Sequence, residues 1–208
     1  MRAALLVFAL VALVAAATVA LGAAHRAPAP EHARAAPAET FTSRLDRIAQ
    51  AISGRRDVSV RCGATGAPTI LGRVLFYGDR PGREALLAPQ VCGALERLWA
   101  RGGPSLACTR LGSGACGEDV VGLAWATSAL AHESFHLRGV RDEASAECYG
   151  LQSTAFAARA LGAPAAYAQR LATYTFWNVR PPVDYGYFSP ECREGGKLDL
   201  RPQTSRWP

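Results

Sequence analysis

Residues 118–138 read as one helix that is apolar on nearly all sides. Val121 and Trp125 share a stripe with His132, while Leu123, Leu130 and Leu137 lie opposite. A helix without a polar face must be enclosed by the rest of the fold, so this stretch constrains any architecture the chain adopts. Glu118 and Asp119 suit its positive end, and Gly139 suits its stop. Near that stop stands His132-Glu133-Ser134-Phe135-His136. Positions i and i+4 lie on one helical face, so both imidazoles can aim at one point. Two buried imidazoles without partners would be costly. A shared metal ion, or a set of acidic partners, removes that cost.

Glu133 lies about 100° further round the helix than His132. It is placed beside such a metal rather than on it, where it can take a proton from a bound water. His-Glu-x-x-His is the zinc-binding signature of metallopeptidases. The chain has only four histidines, and the other two, His25 and His32, fall in a low-complexity leader. A catalytic zinc takes three protein ligands and leaves one position open, so a third ligand must come from outside the helix. Asp142, Glu143 and Glu147 follow closely. Glu143 and Glu147 are i and i+4 on a second helix. One can bind the metal while the other holds a histidine through its second ring nitrogen.

On these residues, across about 118–150, the chain resembles the zincin metallopeptidases, and the gluzincins in particular. There a glutamate on a second helix is the third ligand, and an acid four residues later supports a histidine. The resemblance implies Glu143 as ligand and Glu147 as that support. The separation from His136 to Glu143 is shorter than in most gluzincins, and residue 147 is Glu where thermolysin-like members have Asp. The metzincin spacing, His-Glu-x-x-His-x-x-Gly-x-x-His/Asp, instead selects Gly139 as a turn and Asp142 as the ligand. The Met turn of that group is missing, since the only methionine is Met1.

Arg2 precedes an uncharged Ala/Val/Leu-rich run over residues 3–24, which reads as a secretory signal cleaved near Ala24. Left uncut, the run is long enough to anchor the chain in a membrane. Residues 25–39 read as a flexible linker, and residues 40–208 as a single zincin-like domain. All six cysteines follow the leader: Cys62, Cys92, Cys108, Cys116, Cys148 and Cys192. An even count in an exported chain implies disulfides. Fifteen pairings are open, of which Cys62–Cys92, Cys108–Cys116 and Cys148–Cys192 are the set favoured here. The net charge of +6 arises from 23 basic and 17 acidic residues that are scattered rather than clustered. This argues against a nucleic-acid partner.

The fold expected is α+β: a small N-terminal twisted sheet with helices, then a helical half carrying the motif helix and a second acidic helix. Thr42 or Ser43 is expected to cap a first helix with Leu45, Ile48, Ala49 and Ile52 on one face, ended by Gly54. Strands are expected over 58–61, over 69–77 as one strand or as two halves broken at Gly72, and over 84–87, with a turn at 79–82. Pro89 opens a helix to about 100, and a crosslinked loop runs to 117. Asp142 caps a helix to about 161, and Pro164 opens a last helix to about 178. The functional expectation is an exported, monomeric zinc metallopeptidase acting on a peptide or protein substrate. One of the strands over 69–88 would pair the peptide along its edge, and Tyr149, Tyr174, Tyr185 or Tyr187 would stabilise the oxyanion. The alternatives are a non-catalytic, zinc- and disulfide-stabilised cell-envelope binding protein, and a metal-free, disulfide-stapled binding domain.

Overall fold

The computed structural model describes residues 39–110, 116–179, 186–204 and 207–208. The leader and most of the linker read from the sequence lie outside the described residues, as do positions 111–115 of the crosslinked loop. In chain order the elements are α1 (Phe41–Ser53), β1 (Ser59–Cys62), β2 (Gly72–Tyr77), β3 (Arg80–Leu87), α2 (Pro89–Arg101), a short 3-10 turn (Ala107–Arg110), α3 (Glu118–Arg138), α4 (Glu143–Ala160) and α5 (Ala165–Asn178). This is an α+β fold with a three-stranded mixed sheet. Among the described residues no helix is long and apolar enough to cross a membrane.

The expected motif helix is α3, and it lies at the centre. It packs against α1, α2, α4, α5 and the β2–β3 hairpin, and every residue from 126 to 137 is buried. Two of its three buried hydroxyls bond back to their own helix: Thr127 Oγ1 donates to the Leu123 carbonyl at 2.9 Å and Ser134 Oγ to that of Leu130 at 2.6 Å, while Ser128 Oγ has no partner among the described residues. Thr127 and Ser134 thereby enter the core with their donors satisfied. The fully buried Leu123, Leu130 and Leu137 face that core.

The sheet has the order β1-β3-β2. β1 runs parallel to β3, pairing Ser59 with Glu84 and Cys62 with Leu87. β2 runs antiparallel to β3 and, among the described residues, pairs with nothing on its other side, so it is an edge strand. Several sequence expectations change here: β2 begins at Gly72 rather than at residue 69, and β3 begins at Arg80 rather than at residue 84. The hairpin turn is Gly78-Asp79, flanked by the Tyr77–Arg80 pair, and not residues 79–82. Gly78, at φ 63°, supplies the positive φ that a two-residue hairpin loop needs. Pro81 then sits inside β3, beyond the stretch paired by β1 and beside a register shift between Val74 and Phe76, where a missing N–H is tolerated. The cap of α1 is Thr40, not Thr42 or Ser43. Its hydroxyl accepts from Ser43 N at 3.2 Å, while Ser43 Oγ accepts from Thr40 N at 3.1 Å, a reciprocal capping box.

The six cysteines are joined as Cys62–Cys92, Cys108–Cys116 and Cys148–Cys192, and this bonding is compatible with an extracytoplasmic protein. The last of these ties residues 186–204 onto α4. Gln152 completes the attachment: its Nε2 donates to the Leu198 carbonyl and its Oε1 accepts from Leu200 N, both at 2.8 Å.

Candidate metal centre

The last turns of α3 and the first turns of α4 meet across Gly139, whose φ of 109° lets the chain reverse. That reversal brings three donors together. His132 Nε2 lies 2.9 Å from His136 Nε2, and Glu143 Oε2 lies 3.1 Å from the first and 3.3 Å from the second. These three residues form a group able to hold a metal ion. The donor set, two imidazoles and a carboxylate, is one that zinc accepts, and tetrahedral zinc separates its ligand atoms by about 3.3 Å.

Each imidazole is held by its other nitrogen. His132 Nδ1 is 3.0 Å from Glu147 Oε2, and His136 Nδ1 is 2.6 Å from the Val140 carbonyl. Both partners are acceptors, so both Nδ1 atoms carry the proton when the rings are neutral. Both Nε2 lone pairs are then free to face a metal. Asp142 goes elsewhere. Its Oδ2 accepts from Ser145 N at 2.8 Å and caps α4. Of the two candidate third ligands, the structure brings Glu143 to the histidines and turns Asp142 to the helix terminus.

Charge follows from this packing in the metal-free protein. Burial pushes the His132 imidazolium down, but its hydrogen bonds to Glu143 and Glu147 and the charge of Glu133 outweigh it and raise its pKa to about 10. The hydrogen bonds from His132 and His136 hold the half-exposed Glu143 carboxyl down at about 2. Glu133 moves the other way. Burial lifts it to about 7 against the pull of both histidines. It is 5% exposed and its Oε2 has no hydrogen-bond partner.

Two glycines make room. A Cβ on Gly72, the first residue of β2, would come within 2.6 Å of Glu133 Cγ. A Cβ on Gly150 of α4 would come within 3.0 Å of the His132 backbone. Gly72 therefore marks close approach of the edge strand to the glutamate, not only a break in a strand. Phe76 of the same strand meets the His136 ring edge-on at 6.0 Å, and Arg141 covers Phe76 while pairing with Asp79.

The four tyrosines separate. Tyr187 faces His132 with ring centroids 6.0 Å apart, and burial together with Glu143, Glu133 and Glu147 raises its pKa. Tyr149 packs on Phe135 and Tyr174 is buried in the core, while Tyr185 lies outside the described residues. A cleft of about 830 Å³ opens from His132, Glu133 and Tyr187 along α3, between α2 and the segment leading into β2. No protein-family model matches the chain, and neither a curated protein nor a solved structure does.

Proposed function

We propose that this protein is an exported zinc-dependent metallopeptidase. The observation that carries the reading is a buried glutamate with an unpaired oxygen, set beside a three-donor group that opens on a large cleft. A site closed for structure alone would have a fourth protein ligand, and among the described residues the group holds three. His132, His136 and Glu143 would hold the zinc. When bound, zinc supplies a Lewis acid that polarises a carbonyl and makes water acidic near neutral pH. Glu133 accepts the proton of the attacking water and delivers it to the leaving amine. Buried beside both histidines with one oxygen unpartnered, it is placed to do both. Tyr187 donates its hydroxyl proton in a hydrogen bond to the developing oxyanion. The free edge of β2, which begins at Gly72 beside Glu133, pairs the peptide in extended form.

The test combines metal content with turnover. Protein purified without chelator should carry about one zinc per chain and hydrolyse members of a mixed peptide library. Glu133→Gln should keep the zinc and lose hydrolysis. One observation favours a second reading: Glu143 and Glu147 satisfy His132 without any metal, and three disulfides brace the fold. A metal-free binding domain of the cell envelope would show no zinc uptake, no hydrolysis by either form, and a melting curve indifferent to chelator.

A further inference from the structure

The cleft extends well beyond the metal-binding group. Its floor is one stripe of α3: Glu118, Gly122, Trp125, Ala129 and Glu133. At 1.5 Å per residue this stripe is about 22 Å long. Ile70 and Leu71 form one wall, Val91 and Ala94 of α2 the other. The volume of about 830 Å³ falls in the upper part of the range that encloses a whole small-molecule ligand, roughly 300–1,000 Å³. A single amino-acid side chain would leave most of it empty.

The walls offer few backbone partners to a second stretch of peptide. Ile70 N donates to the Ala67 carbonyl, Thr65 Oγ1 donates to the Ile70 carbonyl at 2.6 Å, and Ala88 N donates to the Leu71 carbonyl at 2.9 Å. Three of the four backbone polar groups of Ile70 and Leu71 are thus bonded, and beyond their first turns the backbones of α2 and α3 are bonded within their helices; Gln90, Val91 and Glu118 lie in those first turns. Amides laid there would find few partners, whereas methylene groups need none. Besides Thr69 and Gln90 on the walls, polar groups stand at the two ends: Arg97 and Glu118 at the outer end, and the unpartnered, 5%-exposed Glu133 at the inner end. One lipid tail is about 15 Å long, half of a roughly 30 Å hydrocarbon core, and fits the length of the stripe.

We infer that the substrate is a lipidated peptide, whose acyl chain lies along α3 in this cleft while its peptide lies on β2. This rests on the peptidase reading for the position of the scissile bond, but the binding it requires does not depend on turnover. A Cβ on Gly122 meets nothing within 4 Å, so side chains can be grown into the cleft from a helical position where any replacement other than proline improves helix propensity.

The experiment uses zinc-treated full-length protein carrying Glu133→Gln and one fluorescent peptide bearing acetyl, octanoyl or dodecanoyl at its N-terminus, each below its micelle concentration. Affinity should rise with chain length, by at least about a hundredfold from acetyl to dodecanoyl. Gly122→Leu and Gly122→Phe should remove that gain in order of size, and Gly122→Ala should leave most of it. Equal affinity across the three acyl groups overturns the inference, as does a gain that survives Gly122→Phe. An acetyl peptide of consecutive leucines that binds as tightly as the dodecanoyl peptide also overturns it, in favour of apolar side chains as the occupant. If the wild type cleaves none of the peptides while the chain-length gain stands, the peptidase reading falls and the acyl site remains.

Discussion

The two walls of the metal centre are built in different ways. One wall is α3 and α4, joined across Gly139 and so close in sequence that all three donors and both supporting acceptors fall within residues 132–147. The other wall is assembled from afar: Gly72 and Phe76 from the edge strand, Tyr187 from a tail held by Cys148–Cys192. The local wall holds the group able to bind a metal, and under the proposed function the distant wall would supply what a substrate touches. Damage to the first should therefore appear in metal content, and damage to the second in turnover.

The largest effect should follow a break in the local wall. Glu143→Ala removes one of three donors, and zinc affinity should fall roughly a thousandfold or more, since ligand binding of this kind carries many kcal/mol. Competition with a chelating dye measures it. Retention of zinc at full affinity would mean that the group at 132–143 is not the metal site. The distant wall breaks at the tail. The double change Cys148→Ser with Cys192→Ser opens a crosslink of sequence separation 44, worth up to about 4 kcal/mol in the loop-entropy model. Stability should drop by that order in a urea titration. Zinc should stay, while kcat falls because Tyr187 is no longer held against His132.

A third prediction sets Glu133 against its neighbours in the metal-free protein. Its folded pKa, about 7, stands above the ordinary glutamate value of 4.5. The folded state binds that proton more tightly, so its contribution is fully present below pH 4.5 and is lost as pH rises through about 7. The loss amounts to about 3 kcal/mol, since a tenfold change in proton affinity corresponds to roughly 1.4 kcal/mol. His132, raised from 6.5 to about 10, contributes stability below 6.5 that is lost as pH rises through about 10. Glu143, lowered from 4.5 to about 2, contributes above 4.5 and loses that contribution as pH falls through about 2. Glu133→Gln should thus stabilise the metal-free protein above neutrality and make no difference in mild acid. Denaturant midpoints measured at both ends of the range give the comparison, and a variant no more stable than wild type in alkali would show that Glu133 is not a buried, unsolvated carboxyl. A smaller effect is expected at the support. Glu147→Gln keeps the shape but removes the charge facing His132 Nδ1, and zinc affinity should fall about 10- to 100-fold.

The same division explains what the sequence made visible. The helix at 118–138 and its cap at Gly139 could be read because both depend on a local period and a local φ. The disulfide at 148 and 192 could be proposed because it joins the tail to the second acidic helix. The roles of Gly72 and Gly150 could not be read. Each is a close approach of backbone to a residue far away in sequence, and a glycine carries no mark of what it lets near. The Val140 carbonyl is hidden for a related reason, since any residue at 140 offers one. The parallel pairing of β1 with β3 across the intervening β2 depends on contacts that no strand pattern encodes. At α1 the pattern suggested a cap at Thr42 or Ser43, but the Thr40–Ser43 reciprocal bonds determined the start.

The smallest effect separates the two adjacent acids between which sequence spacing was divided. Asp142 and Glu143 are neighbours in the chain, yet the first turns its carboxylate to Ser145 N and the second turns its own to the histidine pair. Asp142→Ala removes a helix cap, a change worth about 1 kcal/mol, or a melting shift of about 2–4 °C for a chain of this size. Zinc affinity and turnover should be unaffected, because α4 remains anchored by its packing on α3 and by the Gln152 contacts to the tail. Differential scanning calorimetry on the metal-free and zinc-loaded forms reads both quantities at once: the zinc-induced rise in Tm should be the same as in wild type, on a baseline a few degrees lower. If that rise disappears in Asp142→Ala and persists in Glu143→Ala, the metal takes its third ligand after the metzincin spacing, and α4 must unwind its first turn to provide it.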